Sequence, residues 1–236
     1  MPLGFEIYTD IERPDPELIG LLEGVPTADL GDVMFKRGAV TPAIAPLYRP
    51  IRSIVGPAIT VSVPDGAFEV IKLAINTAKP GDVIVVNAGG NVNHALLGDN
   101  VCRGMKARGI KALVADGCVR DRGTIQEDDF PVWSRGVALV MGAIQGGGEV
   151  NVPIACGGVV VNPGDLVVAD EDGIVVIPPA RVKEVAEAAH ALHERHVKVQ
   201  PTLLRGEVTD IDNITARATG RGGVFVEGTY VSTNAE

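Results

Sequence analysis

A Pro-Gly-Asp turn that runs straight into an unbroken apolar segment occurs twice in this chain. The copies are Pro80-Gly81-Asp82-Val83-Ile84-Val85-Val86 and Pro163-Gly164-Asp165-Leu166-Val167-Val168. Pro pre-sets φ at the second turn position and Gly accepts positive φ at the third, so each reads as a type II turn. A strand with one wet face alternates polar and apolar residues. A continuous apolar run of strand length is therefore buried on both faces. Nothing else recurs at a fixed period, so this is a reused turn and not a solenoid repeat.

With 236 residues, the chain can form one large domain or two small ones. No convincing interdomain linker appears, so a single catalytic-type domain over residues 1–200 is expected, with a C-terminal tail over 201–236 serving as an interface arm. Hydrophobic residues make up 46% of the chain but aromatics only 4%, so Val, Ala, Leu and Ile must fill the core. That bias, with 29 glycines, favours tightly turned α/β architecture over a helical bundle. A net charge of -9 argues against a nucleic-acid partner bound by neutralising phosphates. Cys102, Cys118 and Cys156 show no CxxC spacing, which fits a reducing compartment. The start Met1-Pro2-Leu3-Gly4-Phe5-Glu6 has neither a basic nor an apolar targeting region, and no apolar run reaches membrane length. A cytoplasmic chain without a membrane partner is the expectation.

Asp15-Pro16-Glu17 starts a short helix, with Asp as the cap and Pro at the first position. Thr27 can cap a second helix running to about Phe35. A strand follows at Pro57–Val63, a helix at Phe68–Lys79 and the first Pro-Gly-Asp strand. The spacing then predicts a helix from His94 to Arg108, a strand at Ala112–Ala115, and short strands at 131–133, 138–140, 154–156, 159–161 and 174–177. Pro178-Pro179 opens a last helix with Val182, Val185, Ala186, Ala189 and Leu192 on one stripe, which His193 and His196 join. The polar, Gly-rich stretch beyond Pro201 reads as an extended arm.

Chemistry concentrates between Gly98 and Asp121. Gly98-Asp99-Asn100-Val101 opens a helix, whose first amides and positive dipole end suit an anion. Asp116-Gly117-Cys118-Val119-Arg120-Asp121 ends the following strand. Arg120 offers a planar fork matched to a carboxylate, and Asp121 a hard oxygen ligand for a divalent cation. The same residues read equally as a polar turn with a local ion pair, and Asp99 as a helix cap. Gly89-Gly90 and Gly146-Gly147-Gly148 lack the GxGxxG spacing and a Walker lysine, which argues against nucleotide binding.

Between Gly98 and Asp121, and in the segments Asp129–Ser134 and Val152–Gly158, the chain resembles the 4-hydroxy-4-methyl-2-oxoglutarate/4-carboxy-4-hydroxy-2-oxoadipate aldolases, which share their fold with the regulator of ribonuclease activity A. The resemblance runs from about Thr27 to His196. It implies a layered β/β/α fold of the swivelling-domain type, assembled as trimers or pairs of trimers with sites between subunits. It also implies a lyase that uses Mg²⁺ or Mn²⁺, cleaves a 4-hydroxy-2-oxo acid to pyruvate and a second oxo acid, and decarboxylates oxaloacetate. Carried over residue by residue, Asp121 holds the metal and Arg120 contacts the pyruvyl unit and stabilises its enolate. The Asn100 and Val101 amides, beside Gly98, receive the substrate carboxylate, and Asp99 activates a water. Such aldolases draw an acidic residue from a neighbouring subunit's C-terminal helix; here His196 occupies that register, with Glu194 on the other face. The segment Pro64-Asp65-Gly66-Ala67-Phe68-Glu69 lacks the family's Gly-Asp-Asn pattern. The non-catalytic alternative is a protein-binding module of the ribonuclease-inhibitor type, for which an acidic surface would be the useful feature.

Overall fold

Both Pro-Gly-Asp turns form as their sequences dictate. In the computed structural model, Asp82 N–H donates to Lys79 O at 3.2 Å and Asp165 N–H to Asn162 O at 3.1 Å, with Gly81 and Gly164 at φ +96° and +86°. Each aspartate then reaches back across its turn: the Lys79 and Asn162 amides donate to Asp82 Oδ2 and Asp165 Oδ2 at 2.7 and 2.8 Å. Both carboxylates are buried, and Asp82 also receives the Arg13 fork at 3.0 and 2.7 Å.

The structure describes residues 4–63 and 67–228, which fall into two compact units divided after Leu192. Pro64-Asp65-Gly66, where the Gly-Asp-Asn pattern is missing, lies outside the described residues, as do Met1–Leu3. In chain order, the first unit begins with α1 (Pro16–Gly20), α2 (Thr27–Val33), β1 (Ala45–Pro46), β2 (Ile54–Ser62), α3 (Phe68–Thr77) and β3 (Val83–Ala95). It continues with α4 (Asp99–Ala107), β4 (Ala112–Val119), α5 (Arg122–Glu127) and β5 (Val132–Val137). The short strands β6 (Glu149–Val150), β7 (Ile154–Cys156), β8 (Val159–Val161), β9 (Leu166–Ala169) and β10 (Ile174–Ile177) complete it. A 3₁₀ turn at Pro179–Arg181 then leads into α6 (Val182–Leu204), which crosses the division.

The sheet order is β1-β5-β4-β3-β2-β9-β10, with β6 also on β2 and a separate β7–β8 hairpin. Strands β2 to β5 pair in parallel, joined by α3, α4 and α5, whereas β9 and β10 add antiparallel. Strand β2 changes partners along its length: Ile54–Pro57 pairs with β9 and Ala58–Ser62 with β3. The last two strands explain the unbroken apolar runs. Val167, Ala169, Ile174 and Val176 face the larger core, while Leu166, Val168, Val175 and Ile177 face a second core. Leu22 and Leu30 close that second core with Val182, Val185, Ala186 and Ala189 of α6. The sheet is thus covered on both sides, and the layered α/β expectation stands. Fully burying each such valine, leucine or isoleucine side chain contributes about 1.5–3 kcal/mol.

Several local expectations are corrected. His94 belongs to β3 and not to a helix, since that strand continues past Gly89 and Gly90 to Ala95 and α4 starts only at Asp99. Strand β4 does not stop at Ala115 in a polar turn; it carries Asp116 and Gly117 inside, buried through Val119. Residues 138–140 form no strand, although Val140 O accepts from Ala95 N–H at 2.7 Å. Asp15 caps α1 through the Glu17 amide at 3.0 Å, as expected. Thr27, in contrast, is the first residue of α2 and not its cap, and its hydroxyl donates to Asp170 at 2.6 Å.

The second unit is not an extended arm. Helix α6 runs past Pro201 to Leu204, and α7 (Ile211–Gly220) follows. Asp210, in the left-handed region at φ +60°, precedes α7, and its carboxylate accepts from Asn213 and from Arg217, the latter at 3.3 Å. No helix among the described residues is long and apolar enough to cross a membrane.

Candidate active site

The site is built where α4 begins and β4 ends. The strand order brings them together because β3 and β4 are parallel neighbours, and the segment after β3 continues alongside the end of β4 in the same direction. Leu96 N–H donates to Cys118 O at 2.8 Å and Arg120 N–H to Leu97 O at 3.0 Å. Gly98 then caps α4 at φ −138°, an extended conformation open to any residue. Its need for glycine is steric. A Cβ there would overlap Asp121 Oδ2 and stand 3.0 and 3.1 Å from Arg120 Cγ and Nε.

Around that gap the structure gathers Gly98, Asp99, Asn100, Arg120 and Asp121. Arg120 Nε lies 3.3 Å from Asp121 Oδ2, outside hydrogen-bond geometry, so this buried donor is left unsatisfied. The Asp99 amide donates to the same Asp121 oxygen at 3.4 Å. Asp121 sits in the left-handed region at φ +58° and opens α5, a helix without a sequence signature of its own. An unpaired buried donor costs on the order of 1–3 kcal/mol and is retained where a ligand can take it up.

The two amides expected to receive a carboxylate are engaged locally. Asn100 N–H donates to Asp99 Oδ1 at 2.7 Å, and Val101 N–H to Gly98 O at 3.2 Å. An arriving carboxylate at this helix start would replace Asp99 Oδ1 on the Asn100 amide.

Sequence reasoning missed Arg103 and Asp128. Arg103 Nη1 donates to Asp99 Oδ2 at 3.0 Å and its Nε to Asp128 Oδ2 at 2.6 Å, linking the two carboxylates. The i,i+4 spacing of Asp99 and Arg103 on a helix was the available signal. Burial pushes the Cys102 thiol up to about 12, and Asp99, Asp128 and Asp121 add to the effect. Burial also raises Cys118. Neither offers a thiolate near neutral pH, and both are buried. His190 is bonded to Leu21 O at 3.2 Å. His193 and His196 lie in the second unit.

Among the described residues, no group of three or more His, Cys, Asp or Glu side chains forms a closed metal cage. Mg²⁺ needs none, because it keeps several waters and takes one or two carboxylates. The half-exposed Asp121 carboxylate, beside a gap left free of side chain, fits that mode of binding.

A family model described as RraA-like (Aldolase/RraA) matches residues 27–176. The chain belongs to the RraA-like family. A Halalkalibacterium halodurans protein named "Putative 4-hydroxy-4-methyl-2-oxoglutarate aldolase" is 39% identical over 179 residues, spanning 76% of this chain and 85% of its own. Among solved structures, an uncharacterized protein from Pseudomonas syringae pv. tomato superposes with a TM-score of 0.72 at 27% identity, covering 84% of this chain and 96% of that one. Streptomyces coelicolor RraAS2, described as an unusual member of the RNase ES inhibitor RraA protein family, gives 0.69 at 32% identity, with 80% and 98% covered. The RraA-like match takes in Gly98 through Asp121 and ends before His196.

Proposed function

We propose that this RraA-like chain is a divalent-cation-dependent lyase that cleaves a 4-hydroxy-2-oxo acid to pyruvate and a second oxo acid, and that also decarboxylates oxaloacetate. The observation that carries the reading is the convergence of Arg120, Asp121 and the start of α4 across the side-chain gap at Gly98. Asp121, through waters, would hold the Mg²⁺ or Mn²⁺, which supplies Lewis-acid polarisation of the 2-oxo group.

The chain's own residues do the rest. The α4 amides at Asn100 and Val101 take the substrate carboxylate, and the incoming group displaces Asp99 Oδ1 from Asn100. Asp99 is then free to accept, through a water, the proton lost by the 4-hydroxyl. As the C3–C4 bond breaks, its electron pair moves onto the C2 oxygen, giving the pyruvate enolate. Arg120, whose Nε lacks a hydrogen-bond partner, donates to that oxygen and stabilises the developing charge. Protonation at C3 releases pyruvate. Oxaloacetate loses CO₂ from C4 to reach the same enolate without any hydroxyl to deprotonate, so one site supports both reactions. His196 from a neighbouring copy, in a trimer or a pair of trimers, is the proposed proton donor.

A cytoplasmic setting and small 2-oxo acids as the only non-self partners complete this reading. The ribonuclease-inhibitor alternative draws on the description of RraAS2 and on the net charge of -9. An inhibitor, however, has no use for a metal-binding carboxylate beside an enolate-stabilising arginine. The test is pyruvate release from oxaloacetate and from several 4-hydroxy-2-oxo acids, with Mg²⁺, with Mn²⁺ and after exhaustive EDTA treatment. Release that depends on the added cation is expected; full activity after EDTA would overturn the metal-dependent reading.

A further inference from the structure

Asp116 is a charged side chain in the middle of a fully buried strand, 6% exposed, and nothing in the proposed chemistry uses it. A buried carboxylate is costly unless it is paired and hydrogen-bonded. This one is both. Its Oδ1 accepts a short hydrogen bond from Arg135 Nε, and its Oδ2 accepts the Gly157 amide at 2.9 Å. Gly157, at φ +53°, begins the turn of the β7–β8 hairpin, so one carboxylate ties together β4, β5 and that hairpin.

The place of the pair in the sheet register gives it a consequence for the site. Ala115 pairs with Ser134 and Cys118 with Gly136, so Asp116 and Gly117 together oppose the single residue Arg135. That two-against-one arrangement is a β-bulge, and the ion pair spans it. On the other side, β3 makes its own excursions against the same residues: Asn87 pairs with Asp116, Asn91 with Gly117 and Ala95 with Cys118. The Arg135 guanidinium covers the first excursion, since a Cβ on Gly90 would lie 3.3 Å from its Nε and 3.4 Å from its Cζ. Gly117 is packed just as closely; a Cβ there would stand 3.0 Å from Ala88 Cβ and Leu96 Cδ1.

Side chains alternate along a strand, so one residue more or fewer moves every later side chain to the opposite face. Arg120 lies three residues beyond Gly117, and its amide is bonded to Leu97, one residue before Gly98. We propose that Asp116 and Arg135 are the positioning pair of this site: by pinning the bulge they fix the face on which Arg120 and Asp121 emerge against Gly98. The chemical part of the inference rests on the pyruvyl-site reading above; the structural part does not.

The experiment compares wild type with Asp116→Asn and Arg135→Gln. Asp82→Asn serves as the control, because Asp82 is an equally buried carboxylate held by an arginine in a turn outside the site. Amide hydrogen exchange at Arg120 is read first. Both bulge variants should exchange at least about tenfold faster there than Asp82→Asn, even where all three lose similar stability. Calorimetric titration with oxalate, a planar stand-in for the pyruvate enolate, in the presence of Mg²⁺ is read second. The bulge variants should bind about tenfold or more weakly, given the steep cost of small misplacements, while Asp82→Asn stays close to wild type. Arg135→Gln leaves Asp116 its Gly157 bond and so keeps the test alive if Asp116→Asn does not fold. Unchanged Arg120 exchange in a folded bulge variant would overturn the proposal. Wild-type protein that binds no oxalate would count against the pyruvyl reading alone, with the exchange result still deciding the positioning role.

Discussion

Gly98 and Asp121 share one small space: the carboxylate of Asp121 occupies the volume that a side chain on residue 98 would need. The backbone of Gly98 is extended, so alanine there introduces no φ strain, only a collision. The colliding group is the end of a half-exposed side chain that can turn away. Gly98→Ala should therefore cost little folding stability, less than about 1 kcal/mol or roughly 2–4 °C in Tm. Cation-dependent pyruvate release should fall about tenfold or more, because the proposed metal carboxylate is displaced. A thermal melt beside an oxaloacetate assay checks both halves. A large drop in Tm with activity per folded molecule intact would reverse the assignment.

Arg120→Lys tests the fork. An ammonium keeps the charge but cannot present two coplanar donors, and removal of one donor to a developing oxyanion costs on the order of a hundredfold in turnover. The expected loss lies in kcat more than in KM, since the interaction strengthens as the enolate forms. A change of only twofold in kcat/KM would assign Arg120 a structural role.

Much of the fold was legible because its signals are local. Asp15-Pro16 and the two Pro-Gly-Asp turns carry their geometry within four residues. The alternation of Leu166 to Ala169 and Ile174 to Ile177 between two cores is what a continuous apolar run means. Two of the misreadings share a cause, a distant partner. Asp116 looked like a turn because its neutralising group, Arg135, comes 19 residues later from the next strand. His94 looked helical because the excursions of β3 at Gly89-Gly90 break the strand's period, and only pairing with β4 restores it. Helix α5 begins at Asp121 in a left-handed conformation that no cap pattern announces. For the site, the cluster of Gly98, Asp99, Arg120 and Asp121 could be read from spacing. The Arg103–Asp128 brace could be read only in part, because Asp128 reaches it from α5's far end.

Buried thiols make the fold sensitive to alkali. Burial raises Cys102 and Cys156 from 9.0 to about 12, and Tyr48 from 10.0 to about 12. Above pH 9 the unfolded chain gives up these protons while the folded chain keeps them. Their contribution to stability is therefore complete below pH 9 and is lost as pH rises through about 12. The urea midpoint should fall steadily from pH 9 to pH 11, and replacing Cys102 and Cys156 by alanine should flatten that slope. Native protein at pH 8 should also resist Ellman's reagent until urea is added; labelling at the rate of a free thiol would contradict the assigned environment.

The last prediction concerns His196, which lies outside the RraA-like match and in the second unit. In the proposed reaction, Arg120, Asp121 and the start of α4 serve the pyruvyl half. Asp99 takes the proton of the 4-hydroxyl, and C3 of the enolate still needs a donor. An imidazole changes charge near neutral pH and can serve in either direction. If His196 of a neighbouring copy supplies that group, the intact protein is a trimer or hexamer by light scattering at micromolar concentration. His196→Ala then lowers turnover on the order of a hundredfold while leaving oligomer size, Mg²⁺ affinity and Tm close to wild type. The loss should be of similar size for a 4-hydroxy-2-oxo acid and for oxaloacetate, because both reactions end in the same protonation at C3. A monomer, or a fully active His196→Ala protein, would remove His196 from the reaction and leave the proton to solvent.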